Sequence, residues 1–487
     1  MIIINKRIGV NFMNILVFYP PGELFQRGED RCQSNIKAST STSMRACNDL
    51  GYIASILRNK HNIKLRDYQT ENCKYEDLVN DINSFHPNYL ILSTTNATIF
   101  TDIDIVNNIY KDTSFNGKVV LKGAIFFDAS FDLLKQLDLT NIDFLVGGEI
   151  DFIIEDIVNQ KKPLKEINGI FYKENNQWYK NNFCCWNEDL DSIPFPARDL
   201  MKNELYTRPD TGEPMATIQT SRGCPSSCIY CLSPKISGKK IRYRSPQNVL
   251  DELLECYEKY NIKNFFFKAD TFTFNKEWVL ELCDLIKHSK LYGNIHYTAN
   301  SRVKPLSEEV LIAMKETGCF TIAFGFETGD EETLKKIKKG VSLEDNYNAV
   351  KLAKKVGIPI YGFFMIGFPW ENKKHIENTK NLIFNLDCDF VELHIALPYY
   401  GSEFYDLCKQ ENVLDKNVIG VDYFHSSTKG TKYLSTNDLL KFRKKVLLKY
   451  HCRPKYIFKK LKDCKCNPKI VCNYFKFGIR LIINLFH

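Results

Sequence analysis

Three cysteines stand close together near the middle of the chain, at a spacing that suits iron-sulfur chemistry. Cys224, Cys228 and Cys231 lie in the segment SRGCPSSCIYC, directly after the predicted strand ATIQT. Three thiolates so spaced can each bind one iron of a cubane 4Fe-4S cluster, which leaves the fourth iron without a protein ligand. A structural zinc site needs a fourth Cys or His, and no second short pair follows within about thirty residues. The spacing therefore favours a cluster with one open iron.

The residues around these cysteines agree with that interpretation. Gly223 allows the backbone a tight turn, and Tyr230 places an aromatic ring beside the last cysteine. Together with the spacing and the preceding strand, they give a segment that resembles the radical S-adenosylmethionine (SAM) superfamily. There the open iron chelates the amino and carboxylate groups of SAM, and one electron cleaves the sulfonium to a 5'-deoxyadenosyl radical. The resemblance implies a 4Fe-4S cluster and SAM as cofactors.

The resemblance covers about the first 410 residues and extends to the subgroup with an N-terminal cobalamin-binding domain. A Rossmann-like domain, a DSIPFPARDL linker and a TSRGCPSSCIYC loop follow in the subgroup's order, and then come KADTFTFN, NSRVKPL, FGFETGDEETLKKIKKG, MIGFPWE and LPYYGSEFY. The resemblance implies that Glu327 and Arg302 face the ribose and methionine ends of SAM. It gives Asp270 and Asn300 similar strand-end positions. Such side chains can instead cap a helix or form an ion pair.

A cobalamin site in the N-terminal domain has weaker support. The D-x-H-x-x-G motif that supplies a cobalt-binding histidine elsewhere is absent, because YPPGELFQ follows the first strand, although the subgroup commonly lacks this histidine. Small residues at the strand ends would let the backbone approach the corrinoid: Ser93, Thr94, Gly123, Gly147 and Gly148. They can also be ordinary turn residues of a doubly wound sheet.

The resemblance implies methylation of an unactivated carbon or a phosphinate phosphorus. Reduced cobalamin takes a methyl group from one SAM, a second SAM generates the substrate radical, and the methyl group passes to that radical. The alternatives are ring formation or oxidation with the same cofactors, methylthiolation of transfer RNA, and a sheet that binds no corrinoid. Neither the cysteine-bearing N-terminal domain nor the RNA-binding barrel of methylthiotransferases is recognisable. We expect a small or lipid-like substrate, an electron donor such as flavodoxin or ferredoxin, and no nucleic-acid partner; no residue is assigned as a catalytic acid or base.

Two series of alternating strand and helix patterns position these residues. NILVF, IKLRDY, YLILS, KVVLK and DFLVG predict a doubly wound, flavodoxin-like α/β domain over residues 1–160. ATIQT, NFFFK, IHYTA, FTIAFG, IYGFFMIG and FVELHI predict a partial (βα)6 barrel over residues 206–410, with a helix starting at Ser245 and Pro246. Residues 161–205 are predicted to be a linker that contains a hairpin around Glu174 and Asn175.

Composition limits the class of protein. The chain has 487 residues, 44% of them hydrophobic, and a formal charge of +8 from 66 basic and 58 acidic residues, which is too small to indicate a nucleic-acid partner. Seventeen cysteines, an odd number, and an opening segment without the pattern of a secretion signal favour the reducing cytoplasm. No run approaches the roughly 20 apolar residues that a membrane-spanning helix needs.

Residues 411–487 differ in kind, because LLKFRKKVLLKY, PKYIFKKLKD and FKFGIRLIINLFH are basic and amphipathic. We expect a small helical region that either caps the barrel or makes peripheral contact with a lipid-like surface. This region has a loose group of cysteines that could bind a second cluster or zinc, although their spacing fits no compact ligand set: Cys452, Cys464, Cys466 and Cys472. Cys184 and Cys185 are interpreted as incidental thiols, and Cys319 and Cys388 as core residues. His394, on an apolar strand, is interpreted as a satisfied barrel residue.

Overall fold

The computed structural model describes residues 12–27, 35, 44–183, 186–415, 419–421, 428–464 and 467–486. These residues divide into two compact units. The first contains the described parts of Met1–Glu23, Cys47–Asn187 and Ser192–Lys202, and the second contains those of Leu24–Ala46, Glu188–Asp191 and Asn203–His487. A large, mostly parallel sheet lies at the centre of each unit.

The first sheet has seven strands in the order β2-β1-β3-β4-β5-β6-β7. They are β1 (Asn14–Tyr19), β2 (Asn62–Asp67), β3 (Tyr89–Ser93), β4 (Lys118–Lys122), β5 (Phe144–Val146), β6 (Ile170–Glu174) and β7 (Gln177–Lys180). The helices are α1 (Asn48–Leu57), α2 (Tyr75–Phe85), α3 (Ile99–Asp112), α4 (Phe131–Leu134) and α5 (Ile154–Asn159). The first five strands are parallel, and their 2-1-3-4-5 order confirms the predicted flavodoxin-like topology.

The predicted hairpin is present, but it belongs to this sheet. Strand β6 pairs antiparallel with β5 through Tyr172 and Phe144, and β7 pairs antiparallel with β6 at the sheet edge. Ile170, Phe171 and Tyr172 are buried, so the hairpin adds to the core of the first unit. The segment predicted as a linker therefore contributes two strands to the first sheet. A short turn is enough to connect them, because they are antiparallel.

The second sheet has six parallel strands in chain order, with β8 and β15 at its edges. They are β8 (Met215–Gln219), β11 (Asn264–Lys268), β12 (His296–Ser301), β13 (Cys319–Glu327), β14 (Ile360–Ile366) and β15 (Phe390–Ile395), and β9 (Ser221–Arg222) forms a separate pair with β10 (Arg242–Tyr243). All six predicted strands are present, which confirms a partial barrel.

The helices of the second unit alternate with these strands and then continue to the end of the chain. They are α6 (Ser233–Ile236), α7 (Pro246–Tyr260), α8 (Lys276–Lys287), α9 (Glu308–Glu316), α10 (Glu331–Lys336), α11 (Leu343–Val356), α12 (Lys373–Leu386), α13 (Glu403–Gln410), α14 (Thr436–His451), α15 (Pro454–Asp463) and α16 (Pro468–Phe486). Ser245 caps α7 by accepting a hydrogen bond from the Asn248 backbone N–H, with Pro246 at the first helical position, as predicted.

Side chains alternate between the two faces of the second sheet. On β15, Val391, Leu393 and Ile395 enter the hydrophobic core together with residues from α7, α8, α9, α11 and α12. Glu392 and His394 therefore point to the opposite face, which we call the inner face. In a parallel α/β sheet, the inner face and the carboxyl ends of the strands are where ligands bind.

Helix α14 packs on the edge of this sheet. Leu439, Val446 and Leu447 join the core, and the Tyr450 hydroxyl donates a 2.6 Å hydrogen bond to the Cys388 carbonyl. These contacts make α14 part of the barrel. Among the described residues, none of the helices is both long and apolar enough to cross a bilayer.

Candidate active site

The three cysteines lie in a loop at the carboxyl end of β8, residues 222–232, which we call the cysteine loop. Cys224 and Cys228 are 7% and 8% exposed, and Cys231 is half-buried. The Cys224 backbone N–H donates a 3.0 Å hydrogen bond to the Gly238 carbonyl. Gly223 has φ +97°, and a Cβ there would overlap the Lys240 carbonyl oxygen, so only glycine fits this turn.

A small hydrophobic cluster fixes the other end of the cysteine loop. The Ile229 N–H donates to the Ile337 carbonyl (3.1 Å), and the Ile229 carbonyl accepts from the Phe404 N–H (2.9 Å). The buried members of the cluster are Ile229, Leu334, Ile337, Phe368, Ala396, Phe404, Cys408 and Val413. Four of them belong to quoted motifs that follow the cysteines: Leu334, Ile337, Phe368 and Phe404. Those motifs therefore help to support the cysteine loop. A loop fixed at both ends presents its thiols in a set arrangement before any cofactor binds.

Tyr230 belongs to the cysteine loop and lies beside Glu327 at the end of β13. Its ring centroid is 6.2 Å from that of Phe368 in the hydrophobic cluster. Removal of the phenol from water raises the pKa of Tyr230 well above its usual range, and the nearby Cys228 and Glu327 raise it further. The phenol is therefore a neutral hydrogen-bond donor next to the Glu327 carboxylate.

Glu327 is the last residue of β13, and its backbone conformation is unusual for a residue other than glycine. Its φ is +66°, and the register of β13 with β14 shifts at this point. A Cβ on Gly325 would overlap the Glu327 carboxylate, so the absence of a side chain there lets the carboxylate fold back along the strand. Backbone strain of this kind persists only where surrounding contacts hold it, and it concentrates at functional sites.

Lys339 connects the two residues that were predicted to hold SAM. Its ammonium lies 2.6 Å from Glu327 Oε1, and the two side chains are 6% and 9% exposed. Its carbonyl accepts a hydrogen bond from Arg302, whose other terminal nitrogen is 3.9 Å from Cys228 Sγ. The structure thus brings Arg302, Glu327 and Cys228 into one connected group. Sequence reasoning did not identify Lys339, although it is part of the quoted segment FGFETGDEETLKKIKKG.

Asp270 and Asn300 lie on the neighbouring strands of the same sheet. Asp270 follows β11 by two residues and is half-buried. Asn300 is the fifth residue of β12, aligned with Ala323 of β13, and its neighbours Ala299 and Ser301 are buried. Because Ala299 enters the helix-packed core, Asn300 points to the inner face.

A polar group on the inner face was not predicted as part of the site. Glu392 accepts a hydrogen bond from the Tyr361 hydroxyl (2.9 Å) on one carboxylate oxygen, and its other oxygen is 2.7 Å from His394 Nε2. Glu392 is 5% exposed. His394 was interpreted as a satisfied barrel residue, and the structure does give it a partner. The signal that was available is the i, i+2 spacing of Glu392 and His394, which places both on one face of a strand.

Glu371 closes the MIGFPWE segment after β14. It is fully buried, and its Oε2 accepts from the backbone N–H groups of Gly367 (2.6 Å) and Phe368 (3.0 Å). Its other oxygen has no hydrogen-bond partner among the described residues. Burial raises the pKa of Glu371 to about 8. A largely protonated carboxyl therefore holds the loop that carries Phe368 under the cysteine loop.

The first unit has a buried polar group of its own, at the carboxyl ends of β1, β3 and β4. Asp49, in the first turn of α1, accepts hydrogen bonds from the Tyr19 hydroxyl and from Ser93 Oγ (2.7 Å), and its carboxylate lies 3.4 Å from the Lys122 ammonium. Burial, followed by the Asp49 charge, raises the pKa of Tyr19 well above its usual range. Ser93 was predicted to face a corrinoid; Asp49 and Lys122 were not identified.

The remaining predicted corrinoid residues differ in how much space surrounds them. Thr94 is buried and donates a 2.7 Å hydrogen bond to Asp102. A Cβ on Gly123 would lie 2.7 Å from the Thr94 methyl group, and one on Gly147 would overlap the backbone of Phe126 and Phe127. The packing of this unit alone therefore requires small residues at Gly123 and Gly147. A Cβ on Gly148 would meet its nearest atom at 3.8 Å, an ordinary contact.

The other cysteines fall into two groups. Cys319 and Cys388 are buried, and burial raises their pKa, to about 12 for Cys319, as expected for core thiols. In the C-terminal group, Cys464 is buried, whereas Cys452 and Cys472 are exposed. Cys184, Cys185 and Cys466 lie outside the described residues. Within the described part of the chain, no three or more His, Cys, Asp or Glu side chains could hold a single metal ion, whereas a cubane cluster distributes its thiolates over separate irons.

Comparison with known proteins relates this arrangement to a family. A family model described as the Radical SAM superfamily matches residues 218–383, which run from the end of β8 through the cysteine loop into α12. The chain is also 31% identical over 455 residues to an uncharacterized methyltransferase of Pyrococcus horikoshii, a match that covers 92% of this chain and 94% of the relative. The similarity therefore extends through both units.

Two solved structures share the fold. The cobalamin-dependent S-adenosylmethionine radical enzyme OxsB, with aqua-cobalamin and S-adenosylmethionine bound, matches 98% of this chain and 72% of its own at TM-score 0.72 and 15% identity. The radical S-adenosylmethionine methyltransferase TsrM from Kitasatospora setae, with tryptophan and a SAM analogue bound, matches 82% of this chain and 76% of its own at TM-score 0.64 and 14% identity. With a matching family model on the barrel and a relative similar along nearly its whole length, the chain belongs to the radical SAM superfamily and is a radical SAM enzyme.

Proposed function

We propose that the protein is a cobalamin-dependent radical SAM methyltransferase that acts on an unactivated carbon or a phosphinate phosphorus. Cys224, Cys228 and Cys231 hold a 4Fe-4S cluster. The observation that carries the proposal is the cysteine loop, which is clamped by backbone hydrogen bonds at Cys224 and Ile229 and seated on a dedicated hydrophobic cluster. When bound, the cluster supplies one electron to SAM, and the carbon-sulfur bond to the adenosyl group breaks to give methionine and a substrate-activating radical.

Arg302 and Glu327 position SAM beside the cysteine loop. The Arg302 guanidinium, 3.9 Å from Cys228 Sγ, offsets thiolate charge and faces the carboxylate of the methionine end. Glu327, held by Lys339 and next to the neutral Tyr230 phenol, accepts the ribose hydroxyls. Asp270 and Asn300 line the same strand ends and complete the pocket around SAM.

The first unit holds the corrinoid at the carboxyl edge of its sheet. Chain order reverses between β1 and β3, and in doubly wound sheets this is where a crevice opens for a ligand. A Cβ on Gly148 would meet only the Phe127 ring, at 3.8 Å, and without a side chain the backbone there can approach a macrocycle closely. The buried group of Asp49, Tyr19, Ser93 and Lys122 keeps the neighbouring strand ends rigid.

The substrate is a small or lipid-like molecule that reaches the inner face of the second sheet. There Tyr361, Glu392 and His394 form the polar group that its functional groups meet. An electron donor such as flavodoxin or ferredoxin reduces the cluster, and the reaction takes place in the cytoplasm. Ring formation or oxidation with the same cofactors is the second candidate, since the same residues would serve it.

The test uses SAM with a deuterated methyl group and does not require the natural substrate. The reconstituted protein is incubated anaerobically with labelled SAM and a reductant, with and without hydroxocobalamin, and the products are analysed by mass spectrometry. We expect S-adenosylhomocysteine and a labelled corrinoid fraction only when cobalamin is present, together with 5'-deoxyadenosine. Production of 5'-deoxyadenosine alone, unchanged by cobalamin, would contradict methyl transfer and favour a radical SAM enzyme that binds no corrinoid.

A further inference from the structure

The charge of the chain is concentrated at its C-terminal end. Residues 436–487 contain fourteen Lys and Arg residues against two Asp and no Glu. The rest of the chain carries 52 basic and 56 acidic residues, a slight excess of negative charge. The formal charge of +8 is therefore the sum of a strongly basic C-terminal segment and a weakly acidic remainder of the chain.

Helix α15 presents an apolar stripe away from the barrel. Ile457, Phe458 and Leu461 are 47%, 71% and 54% exposed, at the spacing of one helix face. On the inward side of the helix, Tyr456 joins the barrel core and Lys460 is buried. One side of α15 therefore packs against the barrel, and a large apolar stripe on its other side remains exposed.

Helix α16 repeats this pattern. Val471, Phe475 and Ile479 follow each other at intervals of four residues and are 38%, 70% and 44% exposed. The inward side is attached to the second unit, because Asn473 donates a 2.8 Å hydrogen bond to the Asp210 carbonyl and the Tyr474 ring stacks on Phe390 at 6.5 Å. Lys462 of α15 and Lys476 of α16 are exposed beside the two stripes.

We propose that α15 and α16 form a docking surface for an anionic phospholipid membrane. Exposed phenylalanines next to lysines are the combination with which amphipathic helices insert into the headgroup region, where the rings leave water and the ammonium groups meet lipid phosphates. Nucleic acid would match the charge but leaves the aliphatic residues Ile457, Leu461, Val471 and Ile479 in water. A second copy of the chain would cover the apolar stripes but would bring two basic segments together.

The experiment is flotation of the full-length protein with vesicles of phosphatidylcholine alone or mixed equally with phosphatidylglycerol. We expect binding to the anionic vesicles, weaker binding to the neutral ones, and release as salt screens the charges. The double substitution Phe458→Ser and Phe475→Ser should reduce binding at least about tenfold. Lys462→Gln with Lys476→Gln should weaken binding to anionic vesicles alone. Tyr433→Ser, at an aromatic residue that is 65% exposed outside these helices, serves as the control and should bind like the parent.

Two controls separate a lost surface from a lost fold. Both phenylalanines are exposed, so the variant should keep the parent's unfolding midpoint in urea, and SAM cleavage should be unchanged because neither residue belongs to the site. Absence of parent binding to anionic vesicles would overturn the proposal. So would a parent that is dimeric in solution and becomes monomeric in the phenylalanine variant, or binding to RNA that is stronger than binding to vesicles.

Discussion

The two sheets of this protein both end in buried polar side chains, but they use them differently. At the edge of the first sheet, Asp49 is surrounded by donors from three strand ends, and Gly147 leaves room only for the backbone of Phe126 and Phe127. At the edge of the second sheet, the cysteine loop rests on a hydrophobic cluster, and Glu327, with its strained backbone, lies beside Tyr230 of that loop. At the first edge the buried contacts hold the strand ends together, whereas at the second edge they position the thiols of the cysteine loop.

This difference shows which kinds of residue indicate a functional site. A small residue at a strand end is ambiguous, because the fold can need it for packing, as at Gly147. A cysteine loop that is fixed by backbone hydrogen bonds and packed on a hydrophobic cluster is less ambiguous, because packing alone does not require three thiols at this spacing. Both edges can be perturbed by single substitutions, and the comparison predicts different outcomes for each.

The largest effect is expected at the Glu327–Lys339 pair. Glu327→Gln leaves the buried Lys339 ammonium without its partner, which should lower the free energy of unfolding by about 3–5 kcal/mol. If Glu327 also accepts the SAM ribose hydroxyls, SAM affinity should fall by about tenfold to a hundredfold. Urea denaturation and equilibrium dialysis with SAM measure the two effects.

A double variant separates structure from binding. Glu327→Gln combined with Lys339→Met removes both charges and should recover most of the stability. SAM affinity should stay low. Recovery of affinity together with stability would show that Glu327 acts only as the partner of Lys339.

A pair of adjacent glycines gives the next test, at the first sheet. Gly147→Ala introduces a Cβ that overlaps the Phe126 and Phe127 backbone and should cost about 1–3 kcal/mol of stability. Gly148→Ala meets nothing closer than 3.8 Å and should leave stability within about 0.5 kcal/mol. If the corrinoid approaches the backbone there, Gly148→Ala should nevertheless weaken cobalamin binding, followed by the absorbance of the bound corrinoid. Parent-like cobalamin binding in Gly148→Ala would remove this glycine from the proposed site.

The remaining test concerns how stability changes with pH through Glu371. In the unfolded chain this carboxyl loses its proton near its ordinary pKa of 4.5, whereas the folded protein keeps it up to about pH 8. Its contribution to stability is therefore fully present below about pH 4.5 and is lost as the pH rises to about 8. Glu371→Gln should remove this decline, so that its advantage over the parent grows with pH. Urea midpoints at both ends of the range check this, and parallel pH profiles for the two proteins would contradict it.

Much of the fold could be predicted from the sequence, because strand and helix periods are local signals. Apolar runs rich in β-branched and aromatic residues predicted all eleven parallel strands, and their alternation with helix patterns predicted that the first sheet is doubly wound. The hairpin at Glu174 and Asn175 was also predicted, but its membership of the first sheet depends on burial of Phe171 and Tyr172 against distant residues. Such long-range pairing is not visible in a local pattern.

The residues of the site also divide into those that a local sequence pattern predicted and those that depend on long-range contacts. The cysteines are close in sequence, so their spacing alone predicted the cluster. Lys339 reaches Glu327 across twelve residues, and Asp49 reaches Lys122 across seventy-three, so neither pair has a sequence signature. Glu392 and His394 are two residues apart, but their inner-face orientation became visible only once Val391, Leu393 and Ile395 were found in the core.

Metal content and SAM cleavage of a cysteine variant test whether Cys224, Cys228 and Cys231 bind the cluster. The parent and the triple variant Cys224→Ala, Cys228→Ala and Cys231→Ala are reconstituted anaerobically with iron and sulfide, beside a control with the exposed Cys452 and Cys472 replaced by alanine. We expect about four irons per chain and reductant-dependent 5'-deoxyadenosine for the parent and the control, and neither for the triple variant. Iron loading and SAM cleavage that persist unchanged in the triple variant would contradict it.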